Sequence, residues 1–465
     1  MKNKITFFLI TFFLLFFAAA IVYFPALPGT FILDDYVWIQ PLNVAQIKHL
    51  FVGSWEHGNT LRPIMRLQFF SSLLLFGEQP LYWHLTNIFL HTLISAACFY
   101  FLYQITKNKY ISFAAALIFA IFPGNHEVVA WISGRTHSFG LLLSLGAGYL
   151  LYRSFSASRY QYLQLISGFI LFLAALLTYE VAFAVPLALF VAMFLPHKLS
   201  WRSFYISLAS VVLLVGLIFY RIKILGSIGS TNQHTDNIFL APFLNLRGIR
   251  DLFWYSKELK IAIALICSLL GILAIRKKIW QQTETASYFV LFFCLTIIAY
   301  LPFAIVQGVA PRFLYSSFFF FCIAVGVLSN GLLIKTPSKL FRHSLLAITY
   351  FIIIASAGRT WQVSTRYKEV AHAFKIIPAQ IKQDFPMWPE KRDLVLYKIP
   401  NSNKNVLAFL TYTDKAIERA YKGNAIGKVY RAERLSAEEL SLVLSRNPIE
   451  YTFIDFNSGV KQIIK

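Results

Sequence analysis

The sequence is short of charge. Only 14% of its 465 residues are Asp, Glu, Lys or Arg, while 57% are hydrophobic; an ordinary soluble domain carries about 25% charged residues. A water-solvated globule is thereby excluded. Cysteine is scarce as well. Cys98, Cys267, Cys294 and Cys322 all lie inside apolar runs and none forms a CxxC pair, which argues against a disulfide framework or a zinc site. There is no Gly-rich phosphate loop, no internal repeat and no low-complexity tract. No N-x-[ST] acceptor occurs, which favours a bacterial source. Acidic residues are half as common as basic ones, 21 against 43, for a net charge of +22. Such an excess can indicate nucleic acid. Here much of it falls in short loops between apolar runs, where it sets topology, so no nucleic-acid partner is expected.

What the chain has in quantity is apolar runs. Segments suited to span a bilayer recur near 5–24, 81–103, 111–123, 139–152, 162–178, 181–196, 204–220, 259–275, 287–306, 313–334 and 344–357. About eleven transmembrane helices are therefore expected, several short enough to need a thin bilayer. The first run is longer than a signal-peptide core and reads as a retained helix. Lys2, Lys4, Lys107, Lys109, Arg153, Arg159, Lys198, Arg202, Arg276, Lys277, Lys278, Lys335, Lys339 and Arg342 then share one side with the N-terminus. The positive-inside rule makes that side the cytoplasm. Of the acids in residues 1–357, only Glu284 joins them. Asp34, Asp35, Glu56, Glu78, Glu127, Glu180, Asp236, Asp251 and Glu258 fall outside. Longer outer loops do not account for Glu127 and Glu180, which abut helix ends in short connections. Ionisable residues kept there are functional candidates.

Two outer loops are long, 25–80 and 221–258. The first carries amphipathic stretches at Val44–Val52 and Arg62–Phe76 that suit the membrane interface. After residue 357 the composition becomes that of ordinary soluble sequence. An amphipathic segment at Trp361–Phe385, strand-like Leu394–Ile399, a helix near Ala432–Ser445 and strand-like Tyr451–Phe456 predict a small α/β domain at 358–465.

Four groups of residues have chemistry to offer. Asp34-Asp35 sits close to the membrane surface. If that segment is extended, the two side chains point opposite ways, so one carboxylate can face a substrate while the other orients it or binds a metal; a solvated turn is the plain alternative. Asn125-His126-Glu127, followed by Trp131, Arg135 and His137, could bind a divalent cation or a phosphate, or anchor a helix end at the interface. Asp35, His126 and Glu127 are the candidate ligands for such a cation, Mg or Mn. His84, Asn87 and His91 share one helix face and either bond neighbouring helices or touch substrate. Arg312, in Pro311-Arg312-Phe313-Leu314-Tyr315, either snorkels or grips an anionic headgroup. Together these residues suit sugar transfer from a polyprenyl phosphate. That reaction has a built-in leaving group, needs one carboxylate to take the acceptor proton, and needs cations to hold the departing phosphate.

The chain also resembles a known group, the GT-C-fold membrane glycosyltransferases, and most closely the O-mannosyltransferases with transmembrane and tetratricopeptide-repeat regions. The resemblance lies in Leu33-Asp34-Asp35-Tyr36, in Leu61-Arg62-Pro63 running to Phe76-Gly77, and in Tyr82-Trp83-His84-Leu85-Thr86-Asn87 with His91. It continues through Ala120 to Ala130 with Ser133-Gly134-Arg135, and Leu177-Thr178-Tyr179-Glu180. It covers about residues 30–185 well. It implies transfer from a lipid-phosphate sugar to an acceptor at the outer face, with Asp34 or Asp35 as base and Glu127 assisting. Arg62, His84, Asn87, His91, His126, Arg135, Glu180 and Arg312 become candidate substrate contacts. The family pattern often has Lys-Glu where this chain has Tyr179-Glu180, and the repeats are absent.

The expectation is therefore a polytopic α-helical membrane protein, GT-C-like, with a membrane domain at 1–357 and a small extracytoplasmic α/β domain. It would lie in the bacterial inner membrane with its N-terminus in the cytoplasm. Its partners would be a polyprenyl-phosphate-linked sugar, a protein, lipid or glycan acceptor, and membrane lipids. A transporter or flippase of lipid-linked sugars would want ionisable residues deep in paired, broken helices. A non-catalytic scaffold of the same fold is the third possibility.

Overall fold

The computed structural model describes residues 2–53, 61–156, 159–195, 199–226, 283–304, 310–335 and 338–387. Beyond these it describes 392–398, 428–446, 448–455, 459–462 and a few shorter pieces between 402 and 420. The expected outer loop at 221–258, apart from its first residues, and the expected helix near 259–275 lie outside the described residues, as do Glu56, Asp236, Asp251, Glu258 and Cys267.

The described chain is mostly helical. Six of its helices are long and apolar enough to cross a membrane: Ile5–Ala26, Pro80–Thr106, Trp201–Leu225, Glu284–Phe303, Pro311–Lys335 and Lys339–Asp384. A seventh span results if Lys109–Ile121 and Pro123–Val129, bent by 48° at their junction, are taken together. The eleven expected spans are thus not all full-length helices. Gln161–Leu176 and Glu180–Ala192 are shorter apolar helices, and the segment expected at 139–152 is part of a helix from Arg135 to Arg153.

Local sequence explains the helix ends. Asn43 caps the helix Val44–Val52 in a reciprocal box with Gln46. Proline at the first position starts the helices Pro63–Phe76 and Pro80–Thr106, where its missing N–H costs nothing. Gly77, at φ +54°, makes the turn between them. The two amphipathic stretches expected in the first outer loop therefore both form, with Leu50 buried beneath the first of them.

The core between the helices is aromatic. His91, Phe119, Tyr315 and Phe319 pack ring against ring where the helices Pro80–Thr106, Lys109–Ile121 and Tyr315–Lys335 meet. Close approach of the first and last of these depends on Gly326, where a Cβ would come within 2.3 Å of Leu102.

The composition change at residue 357 falls inside one unbroken helix, Lys339–Asp384, of 46 residues. The segment expected at 344–357 and the one expected at 361–385 are therefore a single element. Its first half leaves Leu346, Tyr350, Phe351 and Ile354 exposed, as lipid-facing residues are. Its second half lies on the loop at 25–80 and on the connection that follows Ile121. Thr360 Oγ1 donates to the Ile121 carbonyl at 2.6 Å, the Tyr367 ring meets His126, and Phe374 stacks on Tyr36.

The helix ends at a four-stranded sheet, ordered Val429–Arg431, Leu394–Tyr397, Ile449–Asp455 and Gly459–Gln462. The first two pairings are parallel and the last antiparallel. Leu394, Val395, Leu396 and Tyr451 are fully buried there. Tyr451 donates to Asp384 at the end of the long helix. The helix expected at 432–445 is a short 3-10 turn and then Ala437–Leu444, capped by Ser436 with Glu439.

Candidate active site

The expected site residues fall into three places. The first is a buried knot that shapes the first outer loop. Leu33 adopts φ +51°, a left-handed conformation rarely taken by a branched residue, and a single helical turn, Asp35–Trp38, follows. The Asp34-Asp35 pair is thus helical rather than extended, and the two side chains separate for a different reason from strand alternation. Asp35 is fully buried. One of its oxygens accepts from the Ile32 amide at 2.9 Å, and the other from the Ser133 amide at 2.8 Å and from the Ser133 hydroxyl. Burial pushes its pKa up to about 7, against the pull of these hydrogen bonds. Asp35 ties the loop at 25–80 to the short connection at 122–134. Asp34 remains half-buried.

The second place is a scaffold inside the protein. Asn87 gives its amide to the Val129, Trp131 and Ile132 carbonyls and accepts from Arg135 Nε at 2.9 Å. Arg135 also donates to Ser72 and to the Trp83 carbonyl and lies over the Trp83 ring at 4.8 Å. His91 donates through Nε2 to the Ala120 carbonyl and accepts through Nδ1 from the Tyr315 hydroxyl. His84 is also buried. The expectation that Asn87, His91 and Arg135 touch substrate gives way to a structural role, because their polar atoms are committed to neighbours and all three are buried. Together they hold the connection at 122–134. Its turn needs Gly134, where a Cβ would sit 2.0 Å from the Glu127 carbonyl oxygen.

The third place brings charges together. Glu127 and Arg312 pair at 2.9 Å, with the Arg312 side chain 22% exposed and Glu127 only 3%. The Arg312 guanidinium lies over the Trp131 and Phe313 rings, at 5.4 and 4.9 Å. Arg62 grips Glu180 with both Nε, at 3.2 Å, and Nη2, at 2.8 Å, and lies 4.6 Å above the Tyr179 ring. Glu180 Oε1, which takes the Arg62 Nε bond, also accepts from Arg221 Nη2 at 2.9 Å. The Tyr179 hydroxyl and His137 Nε2 are 2.9 Å apart. Asp34 is in electrostatic reach of both Arg62 and Arg312. One cluster thus holds Asp34, Arg62, Glu127, Glu180 and Arg312 from the expected set. Arg221 and Tyr179 join it without having been singled out from the sequence as members. Arg221 gave little signal: a lone arginine at the end of an apolar helix usually marks topology.

The expected cation site does not form. Asp35 has both oxygens spent on Ile32 and Ser133, Glu127 is paired with Arg312, and His126 Nδ1 donates to the Pro123 carbonyl at 2.6 Å. Among the described residues, no three His, Cys, Asp or Glu side chains converge to hold an ion. As folded, this donor set does not fit a metal.

The chain is similar to O-mannosyl-transferases. It is 33% identical over 143 residues to the human protein O-mannosyl-transferase TMTC1, and 34% identical over 131 residues to the Tmtc1 protein of Drosophila melanogaster. Each match covers 28% of this chain, and it spans 16% of the human protein's length and 15% of the fly protein's. No protein-family profile matches the chain. Among solved structures, the oligosaccharyltransferase AglB of Archaeoglobus fulgidus, in complex with an inhibitory peptide and a dolichol-phosphate, aligns over 97% of this chain and 70% of its own. The TM-score is 0.49 at 12% identity, a likeness too weak to carry residue roles.

Proposed function

We propose that the protein is a membrane glycosyltransferase that moves a sugar from a polyprenyl-phosphate-linked donor to a protein, lipid or glycan acceptor at the outer face. One observation carries this reading. A half-buried carboxylate, Asp34, stands within electrostatic reach of two guanidiniums, Arg62 and Arg312, each seated on an aromatic face. That is the minimum the reaction needs, a base beside a cradle for departing negative charge.

In the proposed step Asp34 takes the proton of the acceptor hydroxyl. The hydroxyl oxygen forms a bond to the sugar's anomeric carbon from the face opposite the phosphate. The bond between that carbon and the phosphate oxygen breaks, its electron pair stays on the phosphate, and the anomeric centre inverts. Arg312 meets the charge that develops. Glu127 fixes the direction of the Arg312 fork, accepting from its Nη1 at 2.9 Å. An apolar cleft of about 330 Å³ supports a lipid donor. Its lining includes Val181, next to Glu180, and Leu141, one turn beyond His137, and it reaches Arg153 at the cytoplasmic end of the same helix.

Two expected results test the proposal. Purified protein in lipid nanodiscs should consume a polyprenyl-phosphate sugar in the presence of membrane acceptors and release polyprenyl phosphate. Failure with every such donor, together with no binding of polyprenyl phosphate, would remove the reading. The orientation is tested separately: alkaline phosphatase fused after residue 387 should be active, since the reading puts the sheet outside. An inactive fusion, with a cytoplasmic reporter active at the same position, would invert the topology and take the site away from the outer face.

A further inference from the structure

Arg221 is an unusual residue to bury. It stands at the outer end of the helix Trp201–Leu225 and its side chain is 2% exposed. Its guanidinium lies over the Phe183 ring at 5.5 Å, and its hydrogen bonds to described residues run through Nη2 alone, to the Leu61 carbonyl at 3.0 Å and to Glu180 Oε1 at 2.9 Å. Its Nε and Nη1 have no hydrogen-bond partner among the described residues. Leaving buried donors unsatisfied is costly, and a leucine would fill such a place at the end of an apolar helix without that cost.

What the residue does instead is divide a carboxylate. Glu180 Oε1 accepts from both Arg62 Nε and Arg221 Nη2, while Oε2 accepts from Arg62 Nη2. One negative charge therefore serves two guanidiniums. Of the two, Arg62 is the one with an exposed edge, at 20%. Arg221 also holds the backbone of Leu61, the residue before Arg62, and so fixes where that guanidinium stands above Tyr179.

We propose that Arg221 is a positioning residue that competes for Glu180 and so leaves Arg62 with positive charge to spend on the phosphate of the lipid donor. The inference rests on the glycosyltransferase reading and deepens it: the donor phosphate meets two cations, Arg312 and Arg62, and Arg221 sets the strength of the second. With Arg221 neutral, Glu180 belongs to Arg62 alone and cancels it. With Glu180 also neutral, Arg62 is released again. A residue that merely packs the helix end would show the opposite, with each further change adding damage.

The test is a titration of the full chain in nanodiscs with polyprenyl phosphate. Phosphatidylglycerol and inorganic phosphate serve as competing probes, and thermal stability is measured on the same samples. Arg221→Gln should weaken polyprenyl-phosphate binding about tenfold. Arg221→Gln with Glu180→Gln should recover most of that loss, and Arg221→Lys, which keeps the charge, should lose less than Arg221→Gln. Adding Arg221→Gln to Arg62→Gln should cost nothing more. Unchanged affinity in Arg221→Gln overturns the proposal, as does a double variant weaker than the single one. Where Arg221→Gln does not fold, the Lys variant and the Glu180→Gln single variant, which should bind more tightly than the native chain, decide the matter. Equal competition by phosphatidylglycerol or inorganic phosphate would assign the cation to any phosphate and overturn its donor role. A native chain that binds no lipid phosphate sinks the glycosyltransferase reading itself, which separates the two failures.

Discussion

Asp34→Asn is expected to lower sugar transfer by about 10²–10⁴-fold, the usual cost of losing a general base, with little change in stability. Asp35→Asn is expected to do the reverse. The Asp35 carboxylate accepts from the Ile32 and Ser133 amides and the Ser133 hydroxyl. An asparagine would have to turn its NH₂ toward one of those N–H donors. Losing one buried acceptor of this kind costs about 1–3 kcal/mol, so the variant should melt at a lower temperature while the surviving folded fraction still turns over. The two variants also differ in pH response. Burial raises the folded pKa of Asp35 to about 7 from an ordinary value of 3.8. The folded state therefore holds that proton more tightly than the unfolded chain. The stability this confers is complete below about pH 4 and is lost as pH rises toward 7. Melting temperatures across pH 4–8 should show that decline in the native chain and in Asp34→Asn, but not in Asp35→Asn. Near-normal turnover in Asp34→Asn would show that the base lies elsewhere.

For Arg312, substitution should separate charge from geometry. Arg312→Lys keeps the cation and loses the planar fork, so donor affinity should weaken several-fold. Arg312→Ala should weaken it about 10- to 100-fold, in line with the roughly 1.5–3 kcal/mol of a charged hydrogen bond, with the acceptor KM little changed. The alanine variant carries a second penalty, because it strands Glu127, which is 3% exposed. An uncompensated buried charge costs about 3–5 kcal/mol. Arg312→Ala with Glu127→Gln removes that charge, so it should regain stability and not donor affinity. If Arg312→Ala keeps the native donor affinity, the residue leaves the site. If the double variant restores both quantities, Arg312 serves only to neutralise Glu127.

Much of this was legible in the sequence because it follows from local pattern. Val44–Val52 is a helix where amphipathic spacing placed it, capped by Asn43; Pro63–Phe76 is a helix too, started by Pro63, but it buries Arg66 and Ser72 and leaves Leu74 and Leu75 exposed, so its faces are not sorted by polarity. Glu127, Glu180 and Arg312 stood out as ionisable groups at helix ends, and they do converge. What the sequence concealed is pairing over distance. Glu180 meets Arg62 and Arg221, which are 118 and 41 residues away from it; the resemblance pointed to Arg62, but nothing local announces its partner or marks out Arg221. The unequal burial of Asp34 and Asp35 was hidden for another reason. It depends on the left-handed turn at Leu33, which no side-chain pattern announces. Asn87, His91 and Arg135 drew attention as polar residues in apolar surroundings, and such residues serve equally to tie loops down.

The long helix Lys339–Asp384 bears on where the sheet stands relative to the bilayer. Forty-six residues at 1.5 Å each make a rod of about 69 Å, whereas the hydrocarbon layer uses about 30 Å. Roughly half the rod therefore stands clear of the bilayer core, braced against the loop that carries Asp34 through Tyr36 and Phe374. In the proposed orientation it works as a strut that carries the sheet beyond the bilayer core, with Tyr451 of the sheet tied to Asp384 at its far end.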